Sequence, residues 1–274
     1  MTNFQAFILG LVQGLAEFLP ISSSGHLAVL QDWFGIEEAP LLLDTLLHMG
    51  TLLAVLIVYW KRIWKMICHP IRSELKLLVL ATIPTVVVTL LFKDWVDEVF
   101  TGDYVGFCFI GTSFMLLLGE LVNRFRPKTH KPVKWYDALI MGIFQSIAIA
   151  PGLSRSGSTI TGGLISGLSR KRAANFSFLM SIPACCGSAV LGIKDIWDLA
   201  EASGTGFVTE AEELFTQLGA MPIVIGIVTA AVTGLIAIKL MLKIVKGRGL
   251  SAFAAYTFVL GLVMVAIQVL GKVF

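Results

Sequence analysis

Apolar runs of membrane-spanning length leave few folds open to this chain. Leu41 to Trp60, Leu77 to Phe92, Tyr104 to Val122, Ala173 to Ile193, Leu218 to Leu242 and Ala252 to Leu270 each approach the ~20 residues a helix needs to cross a bilayer. Of 274 residues, 56% are hydrophobic and only 14% are charged, where soluble domains carry about 25% charged. The expected fold class is an all-α polytopic membrane protein, a single integral membrane domain over 1–274. The net charge of +3 is confined to loops and gives no reason to expect a nucleic-acid partner. Cys68, Cys108, Cys185 and Cys186 have no metal-ligand spacing. No Lys or Arg precedes Lys61, so a cleavable signal peptide is not expected.

Loop charge sorts the two sides. Loops 61–76, 124–134, 170–172 and 243–248 are basic and read as cytoplasmic; loops 37–40, 94–103 and 195–217 are acidic and read as external. The alternation holds only if segments 4–34 and 137–168 each enter the membrane and return on the same side. That predicts about six full transmembrane spans plus two re-entrant helix pairs, with both termini outside.

Each re-entrant segment is broken by a polar motif. In the first, Gln13 and Glu17 share a helical face, and Pro20 precedes Ile21-Ser-Ser-Ser-Gly-His26. In the second, Pro151-Gly-Leu-Ser-Arg-Ser-Gly-Ser-Thr159 interrupts apolar sequence on both sides. Shifting the chain by 132 residues aligns Gly10, Gln13, Ala16, Ser22, Ser24 and Gly25 with identical residues of the second segment. Three spans lie between, so the two halves, approximately 1–125 and 135–274, form an inverted repeat whose broken helices meet near the midplane.

Facing tips would gather Gln13, Glu17, Ser22, Ser23, Ser24 and His26 opposite Ser154, Arg155, Ser156 and Thr159. Guanidinium binds phosphate oxygens with a rigid fork, glycines expose backbone N–H groups, and an ionisable residue inside a membrane segment is functional by default. These are the components for phosphoryl transfer or phosphate-ester hydrolysis. Ser23 or water serves as nucleophile, His26 as general base and acid, and Glu17 orients that base or holds a divalent cation. Asp44 and His48, four apart on one span, stay outside this set. A transporter or flippase of an anionic lipid is the competing reading, because inverted repeats with broken helices are also transporter architecture.

The stretches Gln13-Gly-Leu-Ala-Glu-Phe-Leu-Pro-Ile-Ser-Ser-Ser-Gly-His26 and Pro151 to Thr159 resemble the two signature motifs of the undecaprenyl-diphosphate phosphatases of the BacA type. The likeness covers essentially the whole chain. It implies hydrolysis of undecaprenyl diphosphate to the monophosphate, recycling a lipid carrier for peptidoglycan and other envelope polymers. It further implies a divalent cation, Mg or Ca, and a site in the plasma (inner) membrane open to the external face. By the same resemblance the catalytic residues are Glu17, Ser23, His26 and Arg155, with Glu17 also on the metal. Substrate-binding residues are Gln13, Ser22, Ser154, Ser156 and Thr159. Gln13 stands where the Glu-containing form of the motif has its first acidic residue; the family pattern tolerates glutamine there, but an amide is neither a proton carrier nor an anionic ligand. The partners expected are the polyprenyl diphosphate and membrane lipid; a homodimer is left open.

Overall fold

The computed structural model describes residues 1–36, 40–70, 72–92, 104–125, 131–247 and 249–271. Among them the secondary structure is helical, with no strand. In chain order the helices are α1 (Asn3–Phe18), α2 (Ser23–Trp33), α3 (Pro40–Val58), α4 (Trp60–Cys68), α5 (Leu75–Leu91), α6 (Val105–Phe125), α7 (Trp135–Ile147), α8 (Arg155–Ile165), α9 (Arg170–Ser203), α10 (Phe207–Leu218), α11 (Ala220–Gly247) and α12 (Ser251–Gly271). Acidic Glu37, Glu38, Asp94, Asp97, Glu98 and Asp103 and basic Arg126, Lys128 and Arg248, used above to orient the chain, lie outside the described residues.

Four helices, α6, α9, α11 and α12, are long and apolar enough to cross a membrane, and a bent pair brings the number to five. The bent pair is α3 and α4, which meet at 81°. The expected span from Leu41 to Trp60 therefore ends at Tyr59, and its basic tail turns aside as α4. The expected span from Leu77 to Phe92 is α5, which at 17 residues is shorter than the other spans. The expected external loop 195–217 is also largely helical. Here α9 runs on to Ser203, stops where Gly204 adopts φ +70°, and α10 follows. Glycine supplies this left-handed stop without the steric cost a Cβ would bring.

Both polar breaks form helix–turn–helix elements. Thr2 caps α1 through a reciprocal pair with Gln5, and α1 ends just before Pro20. The second helix of each element begins the same way. Ser22 Oγ accepts from the Gly25 N–H, and Ser154 Oγ accepts from the Gly157 N–H. The tips touch, since a Cβ on Gly25 would stand 2.7 Å from the Gly152 Cα.

Packing exchanges elements between the halves. α1 lies against α11 and α7 against α5, while α6 pairs with α12 and α3 with α9. The close approaches run through matched glycines. A Cβ on Gly10 would lie 2.4 Å from the Gly226 carbonyl oxygen, and one on Gly142 would lie 2.3 Å from that of Ala81. Small residues let helix backbones approach closely where lipid offers no hydrophobic drive between helices. The main core joins Phe18, Met141, Phe176 and Phe178 beneath the two tips.

Candidate active site

Ser23 and Arg155 are the first residues of α2 and α8. Two helix N-termini therefore converge with their unpaired N–H groups and positive dipole ends, a setting suited to an anion. Ser22, which caps α2, holds φ +69°, the only non-glycine residue with positive φ among those described. Such backbone is costly for a residue with a Cβ and is found where the surroundings dictate the geometry.

Glu17 is the centre of the polar cluster. It is 6% exposed, and its Oε1 pairs with the Arg155 guanidinium, which reaches over from the other half of the chain. Its Oε2 accepts from Ser23 Oγ at 2.6 Å and from the Gln13 amide at 3.3 Å, with His48 Nε2 at 3.5 Å. A buried carboxylate needs such partners, because removing charge from water is costly unless the charge is paired and hydrogen-bonded.

These groups border a cavity of about 770 Å³, within the usual range for ligand sites of roughly 300–1,000 Å³. Glu17, Ser22, Ser23, Ser154, Arg155 and Ser156 line it, and its lining extends to Lys194 and Asp198 toward the far end of α9. Gln13 and Thr159 stand behind the lining. Gln13 bridges Glu17 and Thr51, while Thr159 meets Ser177 Oγ at 2.6 Å, and the Ser177 carbonyl accepts from Arg155. Ser156 Oγ donates to the Leu19 carbonyl at 3.0 Å and ties one tip to the other.

His26 is not brought to this cluster. Its Nδ1 meets the Ser22 carbonyl at 2.6 Å and its Nε2 meets Tyr256 Oη at 2.7 Å, with the ring stacked on Tyr256 and edge-on to Phe109. The imidazole beside Glu17 is that of His48. The Asp44 carbonyl lies 2.6 Å from His48 Nδ1, which places the proton on that nitrogen and leaves Nε2 facing Glu17. Asp44, also in the lining, accepts from the Gln31 amide at 2.7 Å. Asp44, His48 and Thr51 lie at i, i+4 and i+7 on α3 and so form one polar stripe. Two titratable residues inside an apolar span were the signal for it in the sequence.

Among the described residues no three His, Cys, Asp or Glu side chains are grouped to hold a metal ion. Glu17 offers the carboxylate that lies between the two tips, with Asp44, Asp195 and Asp198 elsewhere in the cavity lining. That donor set suits an ion that arrives with a diphosphate, since Mg²⁺ commonly uses one or two carboxylates and takes its remaining ligands from phosphate and water.

Apolar spans, two broken helices tip to tip and a buried carboxylate–guanidinium–hydroxyl cluster define a membrane-embedded protein built to handle an anionic group. More particularly, the chain belongs to the BacA family: the pattern of the family described as bacitracin resistance protein BacA matches residues 6–263. It is 42% identical over 274 residues to the undecaprenyl-diphosphatase of Carboxydothermus hydrogenoformans, covering 99% of this chain and 100% of the relative. It is similar to undecaprenyl-diphosphatase 4 of Bacillus thuringiensis, 40% identical over 98% of both chains. The undecaprenyl-diphosphatase of Halothermothrix orenii is 38% identical over 97% of this chain and 98% of its own.

Proposed function

We propose that this chain is a polyprenyl-diphosphate phosphatase that hydrolyses undecaprenyl diphosphate to undecaprenyl phosphate and inorganic phosphate, recycling the lipid carrier for envelope synthesis. The observation that carries the reading is the contact of Ser23 Oγ and Arg155 with opposite oxygens of one buried carboxylate, Glu17. A hydroxyl on its base, beside a guanidinium and two helix N-termini, is the arrangement for attack on phosphorus. The names of the relatives favour hydrolysis over transport.

In the mechanism that follows, the terminal phosphate enters between α2 and α8, and Arg155 exchanges Glu17 for phosphate oxygens. Glu17 Oε2, already bonded to Ser23, takes the hydroxyl proton as Ser23 Oγ forms a bond to the terminal phosphorus. The bond to the bridging oxygen breaks and undecaprenyl phosphate leaves. Water then attacks the phosphoserine, Glu17 takes the water proton and delivers it to Ser23 Oγ as the Oγ–P bond breaks, and inorganic phosphate is released. Direct attack by water uses the same residues. His48 Nε2, against the same carboxylate oxygen, is the group to which that proton passes on. Glu17 would hold a divalent cation together with diphosphate oxygens, and its chemistry there is to neutralise the head-group charge.

The same reading takes six spans and an inverted repeat. The reciprocal packing of α1 on α11 and α7 on α5 supports it. With Lys194 and Asp198 at the cavity rim, the site opens on the side assigned as external, in the plasma membrane. Phosphate release from undecaprenyl diphosphate by purified protein in detergent tests the proposal, with Glu17→Ala and Arg155→Ala alongside. Release by the parent and loss in both variants is expected. A folded parent that releases none, with Mg²⁺ or Ca²⁺ supplied, overturns the enzyme.

A further inference from the structure

A second cavity, of about 540 Å³, lies between α4, α5 and α9. Of its twelve lining residues only Thr82 carries a polar side-chain atom, and that hydroxyl donates to the Leu78 carbonyl of its own helix at 2.8 Å. The wall therefore offers a ligand no hydrogen bond, and whatever fills it is apolar. It is floored by α4, whose Ile63, Met66 and Ile67 face it. The ion pair of Arg62 with Glu74, just ahead of α5, holds that floor in place.

The apolar cavity continues the polar one. Val86 and Val87 line the former and Thr89 and Leu90 the latter; on α9, Ile182 and Pro183 line the former and Ala184 and Cys185 the latter. Residues three or four apart stack on one helix face, so Val86 lies directly below Thr89 and Leu90, and Ile182 below Cys185. One face of α5 and one of α9 thus pass from the head-group cavity into an apolar groove whose α5 wall runs from Leu75 to Val87, about 18 Å of helix.

We propose that this groove holds the prenyl tail of the substrate whose diphosphate occupies the polar cavity. The assignment rests on the phosphatase reading above and adds where the tail lies. A tail tethered at the Glu17 end would run down the α5/α9 seam towards α4, out of bulk lipid, and long chains would bind better than short ones.

Tryptophan at Ile83 or Val86, both about half exposed, would fill the groove from its lipid side without disturbing the core. Phosphate release is compared for undecaprenyl diphosphate and the single-isoprene dimethylallyl diphosphate, too short to reach Ile83, in detergent, with Leu262→Trp on the lipid face of α12 as the control. The expected result is a fall of about tenfold in the ratio of the two kcat/KM values for Ile83→Trp and Val86→Trp. The ratio should be unchanged for Leu262→Trp. An unchanged ratio in the groove variants overturns the tail assignment while leaving the phosphatase standing. Absence of release from either substrate by the parent overturns both. As a second measurement, undecaprenyl diphosphate carrying a diazirine on one of the isoprene units nearest the diphosphate should label α4, α5 or α9. Labelling confined to other helices, or a change of oligomeric state in the groove variants that marks the face as a contact between copies, overturns the proposal.

Discussion

Arg155 reaches Glu17 across 138 residues of sequence, and the two form an ion pair whose carboxylate is 6% exposed. Breaking a buried pair by removing one partner leaves the other charge uncompensated, at a cost of about 3–5 kcal/mol. Arg155→Ala is therefore expected to lower the melting temperature in detergent and to reduce kcat by roughly 10²–10³-fold. Arg155→Lys should recover stability better than activity, because an ammonium lacks the planar fork. Steady-state phosphate release beside thermal melts separates the two effects.

Adjacent serines should behave differently. Ser22 caps α2, so Ser22→Ala should cost about 1 kcal/mol of stability with a small loss of rate. Ser23 Oγ lies on Glu17, and Ser23→Ala should abolish turnover with little change in melting. Mass spectrometry of acid-quenched turnover should find a phosphoryl group on Ser23; its absence, with activity surviving in Ser23→Ala, would show that water attacks directly.

The two histidines should exchange the importance that the sequence assigns them. His48→Gln is expected to lower kcat, because His48 Nε2 stands 3.5 Å from the Glu17 carboxylate that takes the Ser23 proton. His26→Gln should keep most of kcat and instead loosen the contact of α2 with Tyr256 and Phe109, at a cost of about 1 kcal/mol. Steady-state phosphate release beside melting curves of both variants checks this.

Helix crossings give a structural prediction. Gly142→Ala would push a methyl to 2.3 Å from the Ala81 carbonyl oxygen, whereas a Cβ on Gly187 meets nothing within 4 Å. Overpacking should destabilise Gly142→Ala by about 1–3 kcal/mol, and Gly187→Ala should be neutral or stabilising by up to about 1 kcal/mol. Paired melting curves decide it.

Chelation should act on turnover alone. With no three-ligand group among the described residues, EDTA is expected to stop phosphate release and leave the melting temperature unchanged. A large fall in melting temperature on chelation would instead reveal a structural ion.

Much of this was legible because its causes are local. The apolar runs demand helices, Pro20 and Pro151 stop them, and Ser22 and Ser154 restart them through bonds to residues three ahead. The 132-residue repeat therefore appears in the sequence as well as in the caps. Less legible were features that local chemistry does not mark. Nothing resembling a breaker stands at Tyr59, yet α3 and α4 turn by 81° there. The acidic stretch after Asp195 reads as a loop by charge, but it has no proline and continues as helix to Ser203.

The sequence by itself determined that the chain lives in a membrane, that its helices break at two matched polar tips, and that Glu17, Ser23 and Arg155 are the residues to watch. These follow from hydropathy, from backbone chemistry and from the cost of charge in lipid. Only the tertiary structure decided which groups meet. The 132-residue register pairs Ser23 with Arg155 and Glu17 with Ile149, and the contact of Ser23 and Arg155 with one carboxylate exists only where the two helix–turn–helix elements meet. His26 and His48 differ for the same reason. A helix turns one face to each neighbour, and which neighbour that is depends on packing between distant segments: α2 turns His26 to α12, while α3 turns His48 to the carboxylate on α1.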